Sequence, residues 1–256
     1  MRKYNRLTKK ELKNIQKLID KEYSLNEITK ITRKKKTTIY YHFRKIKGRT
    51  MNPITIKSNN KELIGEFIGL FAGDGCIDKT DKYQYRTYLY FNLNEKKFVE
   101  DLIKNVLIKL FGKRPMVFKV DNRINLCYYS KTIHKLIHNY LIWNKKIRKT
   151  YTVELKNKNH SKEFLRGFIR GSVDSDGHIS NKRINFASVS YNLIRDIACS
   201  LEKLDIKYKL RKYIEKRENR KDIYHIDLRK PEFEMFHSLI KPRNVKCTGR
   251  DLNSWT

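Results

Sequence analysis

Two stretches of this chain repeat each other in register, and no other feature narrows its fold as much. Leu63, Gly65, Gly69, Asp74, Gly75 and Ile77 recur as Leu165, Gly167, Gly171, Asp176, Gly177 and Ile179, a constant offset of 102 with no gap. The chain beyond each stretch also corresponds, with small insertions. Residues 98–102 match 193–197 in apolar pattern. Leu141-Ile142 ahead of Lys145, Ile147 and Arg148 matches Leu239-Ile240 ahead of Arg243, Val245 and Lys246. A unit of about 100 residues is far longer than a solenoid repeat. The expectation is two copies of one small domain, over 61–150 and 151–256.

Hydrophobic periodicity gives both copies the same order of elements. The first copy predicts a helix over about 61–73, a hairpin whose long strand lies near 85–93 and a helix over 95–111. Strands near 115–120 and 124–129 and a helix over 131–142 follow. The second predicts a helix over 162–174, a hairpin turning at Asn181-Lys182 and a helix over 191–204. Strands near 207–215 and 222–229 and a helix over 231–240 complete it. The fold class is α+β, αββαββα twice, with two antiparallel sheets. Period-two alternation puts Arg86, Tyr88, Tyr90 and Asn92 on one side of a strand, with Thr87, Leu89 and Phe91 opposite. It likewise sets Lys209, Arg211 and Tyr213 against Tyr208, Leu210 and Ile214. A sheet with an apolar face on helices and a basic, aromatic face outward suits a duplex. Lys182, Arg183, His225 and Arg229 belong to the same outward set. Taken singly, each could equally be solvated surface.

Charge points the same way. The chain has 256 residues with 59 Lys+Arg against 27 Asp+Glu, a formal net charge of +32. Hydrophobic residues at 39% supply a core, so a disordered basic tail is excluded. The favoured partner is a polyanion, and nucleic acid is the default. The apolar run between Glu66 and Asp74 is far shorter than the roughly 18 residues a membrane span needs. The charged N-terminus lacks the apolar core of a secretory signal. Cys76, Cys127, Cys199 and Cys247 are too scattered to form a C-x-x-C pair, which reads as reduced thiols. The protein is expected to be intracellular, cytoplasmic or nucleoid-associated, with no membrane partner.

The charge is densest in residues 1–50, with 17 basic and 4 acidic side chains. A first helix over about Thr8–Lys21 would bury Leu12, Ile15, Leu18 and Ile19. Ser24 would cap a second carrying Leu25, Ile28 and Ile31. A third, over about 36–47, carries Ile39, Phe43 and Ile46. Three short helices with a tight turn before the last resemble a helix-turn-helix. Thr37, Thr38, Tyr41 and Arg44 would then face DNA while Ile39 and Phe43 hold the core. The turn Thr32-Arg33-Lys34-Lys35 lacks the usual glycine. This domain is expected over 1–48, followed by a linker over 49–60 that contains Pro, Ser and Asn.

The repeated helices carry the chemistry. Gly65/Gly69 and Gly167/Gly171 form small-residue stripes at i, i+4, along which two helix backbones can meet. Each interior glycine costs about 1 kcal/mol against alanine, so four need a packing reason. Each helix ends at Asp-Gly, with Gly75 and Gly177 at the position that favours a left-handed residue. Asp74 and Asp176 face the negative helix end, an unfavourable place for a carboxylate. Paired helices would also set them side by side, where like charges repel. A divalent cation removes both problems, and carboxylate and carbonyl oxygens are what Mg²⁺ favours. Metals shared between two carboxylates suit phosphodiester hydrolysis.

Phe67 to Gly75 and Ile169 to Gly177 resemble two LAGLIDADG motifs, and αββαββα twice is similar to that family's fold. The resemblance covers about 61–250. It implies a single-chain, pseudo-symmetric homing endonuclease, a monomer with an internal pseudo-dimer. Its two sheets would form a saddle over the major groove of double-stranded DNA. It would cut both strands at a long, rare site, leaving short 3′ overhangs. Position by position, Asp74 and Asp176 fall on the catalytic acids that bind Mg²⁺ or Mn²⁺. Carbonyls of Gly73 or Gly75, and of Gly177, would add ligands. Ala72 stands where the motif has an acid, whereas Asp174 keeps it; that position is not the metal ligand. The family's basic catalytic residue corresponds to Arg148 or Lys149 in one copy and Lys246 in the other. The helix-turn-helix lies outside the family core and would lengthen the recognised site.

Two other readings stay open. The same saddle could serve an intron maturase that binds intron RNA. A transcription regulator with a decayed nuclease fold is the non-enzyme alternative, but it would have no need to keep two carboxylates in so poor a place. His134 and His138, at i, i+4, lack the Glu of a zinc protease motif and read as residues that pack or face solvent.

Overall fold

The computed structural model describes residues 7–21, 23–47, 54–78, 85–180, 182–218 and 220–244. The chain divides into two compact units, Met1–Pro53 and Ile54–Thr256.

The smaller unit has three helices. α1 (Lys9–Asp20) and α2 (Leu25–Thr32) each start at a reciprocal cap, Thr8 with Glu11 and Ser24 with Glu27. α3 (Lys36–Lys47) follows. Arg33, at φ 52, takes the left-handed conformation that a turn glycine would supply. Ile15, Ile19, Ile28 and Ile39 form the core, with Leu7, Leu18, Leu25 and Phe43 packed on it. Ile31 and Ile46, expected on the apolar faces, are instead exposed, because four isoleucines already fill so small a core.

The larger unit repeats one pattern twice. The first copy runs α4 (Lys61–Asp74), β1 (Gly75–Asp78), β2 (Arg86–Asn92), α5 (Lys96–Leu102), a wide π turn (Ile103–Leu107) and α6 (Ile108–Phe111). β3 (Met116–Val120), β4 (Arg123–Tyr129) and α7 (Lys131–Tyr140) complete it. A bridge of β5 (Leu141–Ile142), α8 (Lys149–Thr152) and β6 (Glu154–Leu155) leads to the second copy. That copy has α9 (Lys162–Asp176), β7 (Gly177–Ser180), β8 (Arg183–Ser188), α10 (Tyr191–Glu202), β9 (Lys209–Tyr213), β10 (Ile223–Leu228) and α11 (Lys230–Ile240). The antiparallel sheets have matching orders, β1-β2-β4-β3 and β7-β8-β10-β9. Ile54, in the stretch read as a linker, is buried in this unit's core, and the Lys57 amide donates to the Leu110 carbonyl at 2.8 Å.

One apolar core runs through both copies, from Phe67, Phe71, Leu89 and Leu126 to Phe168, Val173, Phe186 and Ile226. The alternation predicted for β2 holds, with Thr87, Leu89 and Phe91 buried. It fails on β9, where every residue is exposed and Leu210 and Ile214 face water; β3 is likewise exposed throughout. The reason is coverage, since the helices pack on β2, β8 and β10 while β3 and β9 lie at the sheet edges. Among the described residues, no helix is long and apolar enough to cross a membrane.

Candidate active site

The site begins with the approach of α4 to α9. A Cβ on Gly65 or Gly69 would strike the backbone carbonyl of Phe164 or Phe168. One on Gly167 or Gly171 would strike that of Glu62 or Glu66. The stripes therefore let two backbones touch along their length, which brings the C-terminal ends of both helices together.

Asp74 and Asp176 are the last residues of α4 and α9, and each is followed by a glycine that opens a strand. The expected left-handed cap is absent: Gly75 (φ −86, ψ 148) and Gly177 (φ −78, ψ 159) are extended, because each chain passes straight into a sheet. The glycine requirement is steric. A Cβ on Gly75 would run into the Phe71 ring, and one on Gly177 into the Val173 side chain. Across the interface, a Cβ on Gly73 would lie 2.7 Å from Asp176 Oδ2. The Asp176 carboxylate thus rests against the last turn of the opposite helix, one residue before Asp74.

Lys149, at the start of α8, closes this end. Its Nζ donates to the carbonyls of Phe71 (2.6 Å), Ala72 (2.7 Å) and Gly73 (3.1 Å). Those acceptors are the carbonyls a helix leaves without partners at its C-terminus, and an ammonium there also meets the favourable end of the dipole. Burial of the ammonium brings its pKa down to about 8, opposed by the charges of Asp176, Cys76 and Asp74. One cation therefore feels both helix-end acids. Asp74, Gly75, Arg148 and Lys149 line a cleft of about 630 Å³ with Tyr90 and Trp143. Asp176 lines a smaller one of about 190 Å³, which shares Gly73 and Thr150 with the first. Gly177 is buried beside Asp176 at the start of β7. Lys246 lies outside the described residues.

Behind the acids lies an ionic network that the sequence reading missed. Glu66, fully buried in α4, pairs with Arg170 of α9 at 3.0 Å and with Arg243. Arg170 also reaches Glu62 and donates through Nε to the Ile240 carbonyl at 2.6 Å. Arg243 extends the network to Asp101 at 3.1 Å. The available signal was a charged residue on each helix beside its glycine stripe. Asp174, read as the acid that is not a metal ligand, has a scaffold role. Its Oδ1 accepts from the amides of Arg243 and Asn244, both at 2.9 Å, and so pins the chain after α11. Burial pushes its carboxyl up to about 7.

The proposed DNA-facing residues lie on α3 of the smaller unit and on the two sheets of the larger one. On α3, Thr37, Tyr41 and Arg44 are exposed and Thr38 is half-buried. On the first sheet, Arg86 pairs with Asp78 at 3.3 Å and lies over the Tyr129 ring, and Tyr88 stacks on Tyr90. Asn92, read as DNA-facing, is exposed at the end of β2, and its side chain accepts from the Asn94 amide and caps the turn into α5. On the second sheet, Lys209, Arg211 and Arg183 are exposed and His225 is half-buried. Lys182, at φ 57, makes the β7–β8 turn and pairs with Glu234 at 3.5 Å. Arg229 is exposed at the position before α11.

Among the described residues, no three His, Cys, Asp or Glu side chains cluster as a metal site. A divalent ion here would take two carboxylates, with carbonyls, water and a ligand phosphate completing the shell. That donor set fits Mg²⁺, which keeps several waters and needs one or two protein carboxylates. The cation-holding carbonyls beside both acids fit it as well.

Comparison with known proteins places the fold. Residues 163–245 match the family model of the LAGLIDADG-like domain. The structure of I-DmoI in complex with DNA and Ca is similar, with a TM-score of 0.51 and 16% identity over 71% of this chain and 91% of that one. I-DmoI in complex with DNA and Mn gives a TM-score of 0.50 and 16% identity over 71% of this chain and 97% of that one. The homing endonuclease I-WcaI bound to its DNA recognition sequence gives 0.48 and 14% over 80% and 89%. The chain has the LAGLIDADG homing-endonuclease fold, and residues 163–245, within its second copy, are similar in sequence to the LAGLIDADG-like domain as well.

Proposed function

We propose that the protein is a divalent-metal-dependent, site-specific endonuclease that cuts both strands of DNA. The observation that carries this reading is the convergence of two Asp-Gly helix ends on one another and on Lys149. Carboxylates at the negative end of a helix dipole are costly without a cation between them. I-DmoI, of the same fold, is seen with DNA and with Ca or Mn.

In this reading Asp74 and Asp176 hold Mg²⁺ or Mn²⁺, and the carbonyls of Gly75 and Gly177 border the site. The ion, when bound, lowers the pKa of a water and stabilises the leaving oxygen of an in-line displacement. The chain does the rest. The rigid α4–α9 contact fixes the separation of the acids, one repeat facing each strand. Lys149 holds positive charge beside the phosphate, and Arg148 lines the same cleft. The outward sheet faces bind the major groove, and their basic residues neutralise phosphates. The net charge of +32 supplies the long-range attraction. We further propose that residues 1–48 form a helix-turn-helix with Thr37, Thr38, Tyr41 and Arg44 toward DNA, and that the protein works intracellularly as a monomer.

The test is selection of cut sites from a randomised duplex library with Mg²⁺. Enrichment of one long site, abolished by EDTA, is expected. Binding without any cutting in Mg²⁺ or Mn²⁺ would overturn the enzyme reading in favour of a regulator. Removing residues 1–50 should weaken binding and flatten its dependence on salt, since phosphate contacts are lost. An unchanged slope would show that these helices do not touch DNA.

A further inference from the structure

The two sheets can be matched strand for strand through their pairing registers. In the first, Gly75 lies opposite Leu89, Leu89 opposite Leu126 and Leu126 opposite Val117. In the second, the same row is Gly177, Phe186, Ile226 and Leu210. Counting out from that row gives each outward position its counterpart. Tyr88 matches Asn185, Cys127 matches Asp227, Met116 matches Lys209 and Phe118 matches Arg211. Where the first sheet carries rings and sulfur, the second carries amide, carboxylate and cations.

In the second sheet these groups are connected. Arg211 Nε lies 3.2 Å from Asp227 Oδ2. Asn185 Nδ2 donates to Asp227 Oδ1 at 2.7 Å, and His225 Nδ1 lies 3.4 Å from Asn185 Oδ1. The Arg211 side chain remains 51% exposed on the outward face. A carboxylate on Nε fixes the plane of a guanidinium and leaves its two Nη groups to a ligand. That pair is spaced for the O6 and N7 acceptors of guanine in the major groove. A lysine in that place would be a rotating point charge; the held fork has direction.

We propose that Arg211 reads a guanine in one half of the target site, with Asp227 as its positioning residue. The corresponding place on the first sheet, Phe118 and Cys127, offers no such donor pair. The two halves of the site are therefore read unequally at related positions, and the target is not palindromic there. This rests on the DNA-cutting function proposed above.

The test uses the full chain. Binding sites are selected from randomised duplexes, and every single base-pair change in the selected site is then measured with Arg211→Ala, Arg211→Lys and Asp227→Ala. Wild-type protein should prefer guanine at one position by roughly 10- to 100-fold. Both Arg211 variants should lose that preference and keep those at other positions, and Asp227→Ala should relax the same position. A uniform loss across all sequences, with the salt slope falling by about one, would mean a phosphate contact and overturn the proposal. Relaxation at different positions in the Arg211 and Asp227 variants would overturn the positioning role. Wild-type protein that selects no sequence would overturn the site-specific function along with it.

Discussion

At the end of α4 a lysine ammonium closes three backbone carbonyls, whereas near the end of α9 a buried aspartate grips the chain after α11. The same contrast runs through the helix contact. α4 contributes Glu62 and Glu66, and α9 answers with Arg166 and Arg170. What the repeats share is what sets geometry: the glycine stripes and the terminal Asp-Gly. What they do not share is chemistry that has been divided between them. Positions that fix the distance between helix ends tolerate no drift, because a single Cβ would enter a facing backbone. Neighbouring positions have become complementary, as the two sides of an interface do.

The largest break in this comparison should come from the complementary charges. Arg170→Met leaves Glu66 buried with half its partners, and should cost about 3–5 kcal/mol in denaturant unfolding. Adding Glu66→Gln should restore part of that. A loss under about 1 kcal/mol would show that the network does not bind the repeats together. Next comes the closure of one helix end. Lys149→Met should cut cleavage by roughly 100-fold, as removal of a positioned donor does, with DNA affinity kept. Loss of affinity with normal turnover would make Lys149 a binding residue only.

The shared feature should respond symmetrically. Gly69→Ala and Gly171→Ala each drive a methyl into a facing carbonyl and should cost similar amounts, about 1–3 kcal/mol. Unequal costs would show that the two stripes are not equivalent. The smallest effect concerns Asp174. Burial raises its carboxyl from 3.8 to about 7, so the folded chain holds a proton that the unfolded chain releases within that window. Its contribution to stability is therefore present below pH 4 and lost as pH rises to 7. The gap in Tm between Asp174→Asn and the parent should narrow or reverse across pH 4–7, and a constant gap would contradict the assignment.

Much of this was legible in the residues. Duplication in register announced two copies, and glycines at i, i+4 announced a backbone contact, since little else repays their cost. Asp-Gly at both helix ends marked the candidate site. What stayed hidden depended on facing elements. Glu66 and Arg170 lie amid apolar runs, and only the partner helix explains them. Asn92 alternates correctly for an outward residue, yet its side chain serves the local backbone. The alternation read at Tyr208–Ile214 is that of a half-buried strand, but β9 lies at a sheet edge, beyond the helices that cover β2, β8 and β10. Gly75 and Gly177 invite a left-handed reading, whereas both are extended and are closed to a side chain by Phe71 and Val173, which only the folded chain brings against them.

The central claim is that two helix ends form one nuclease centre. It is tested most directly by incubating the selected duplex with Mg²⁺ and with wild-type protein, Asp74→Asn or Asp176→Asn, and resolving both strands. Each variant should bind the site with nearly unchanged affinity and cut neither strand, with losses of about 1000-fold or more. Undiminished Mg²⁺-dependent cutting by either variant would contradict the account.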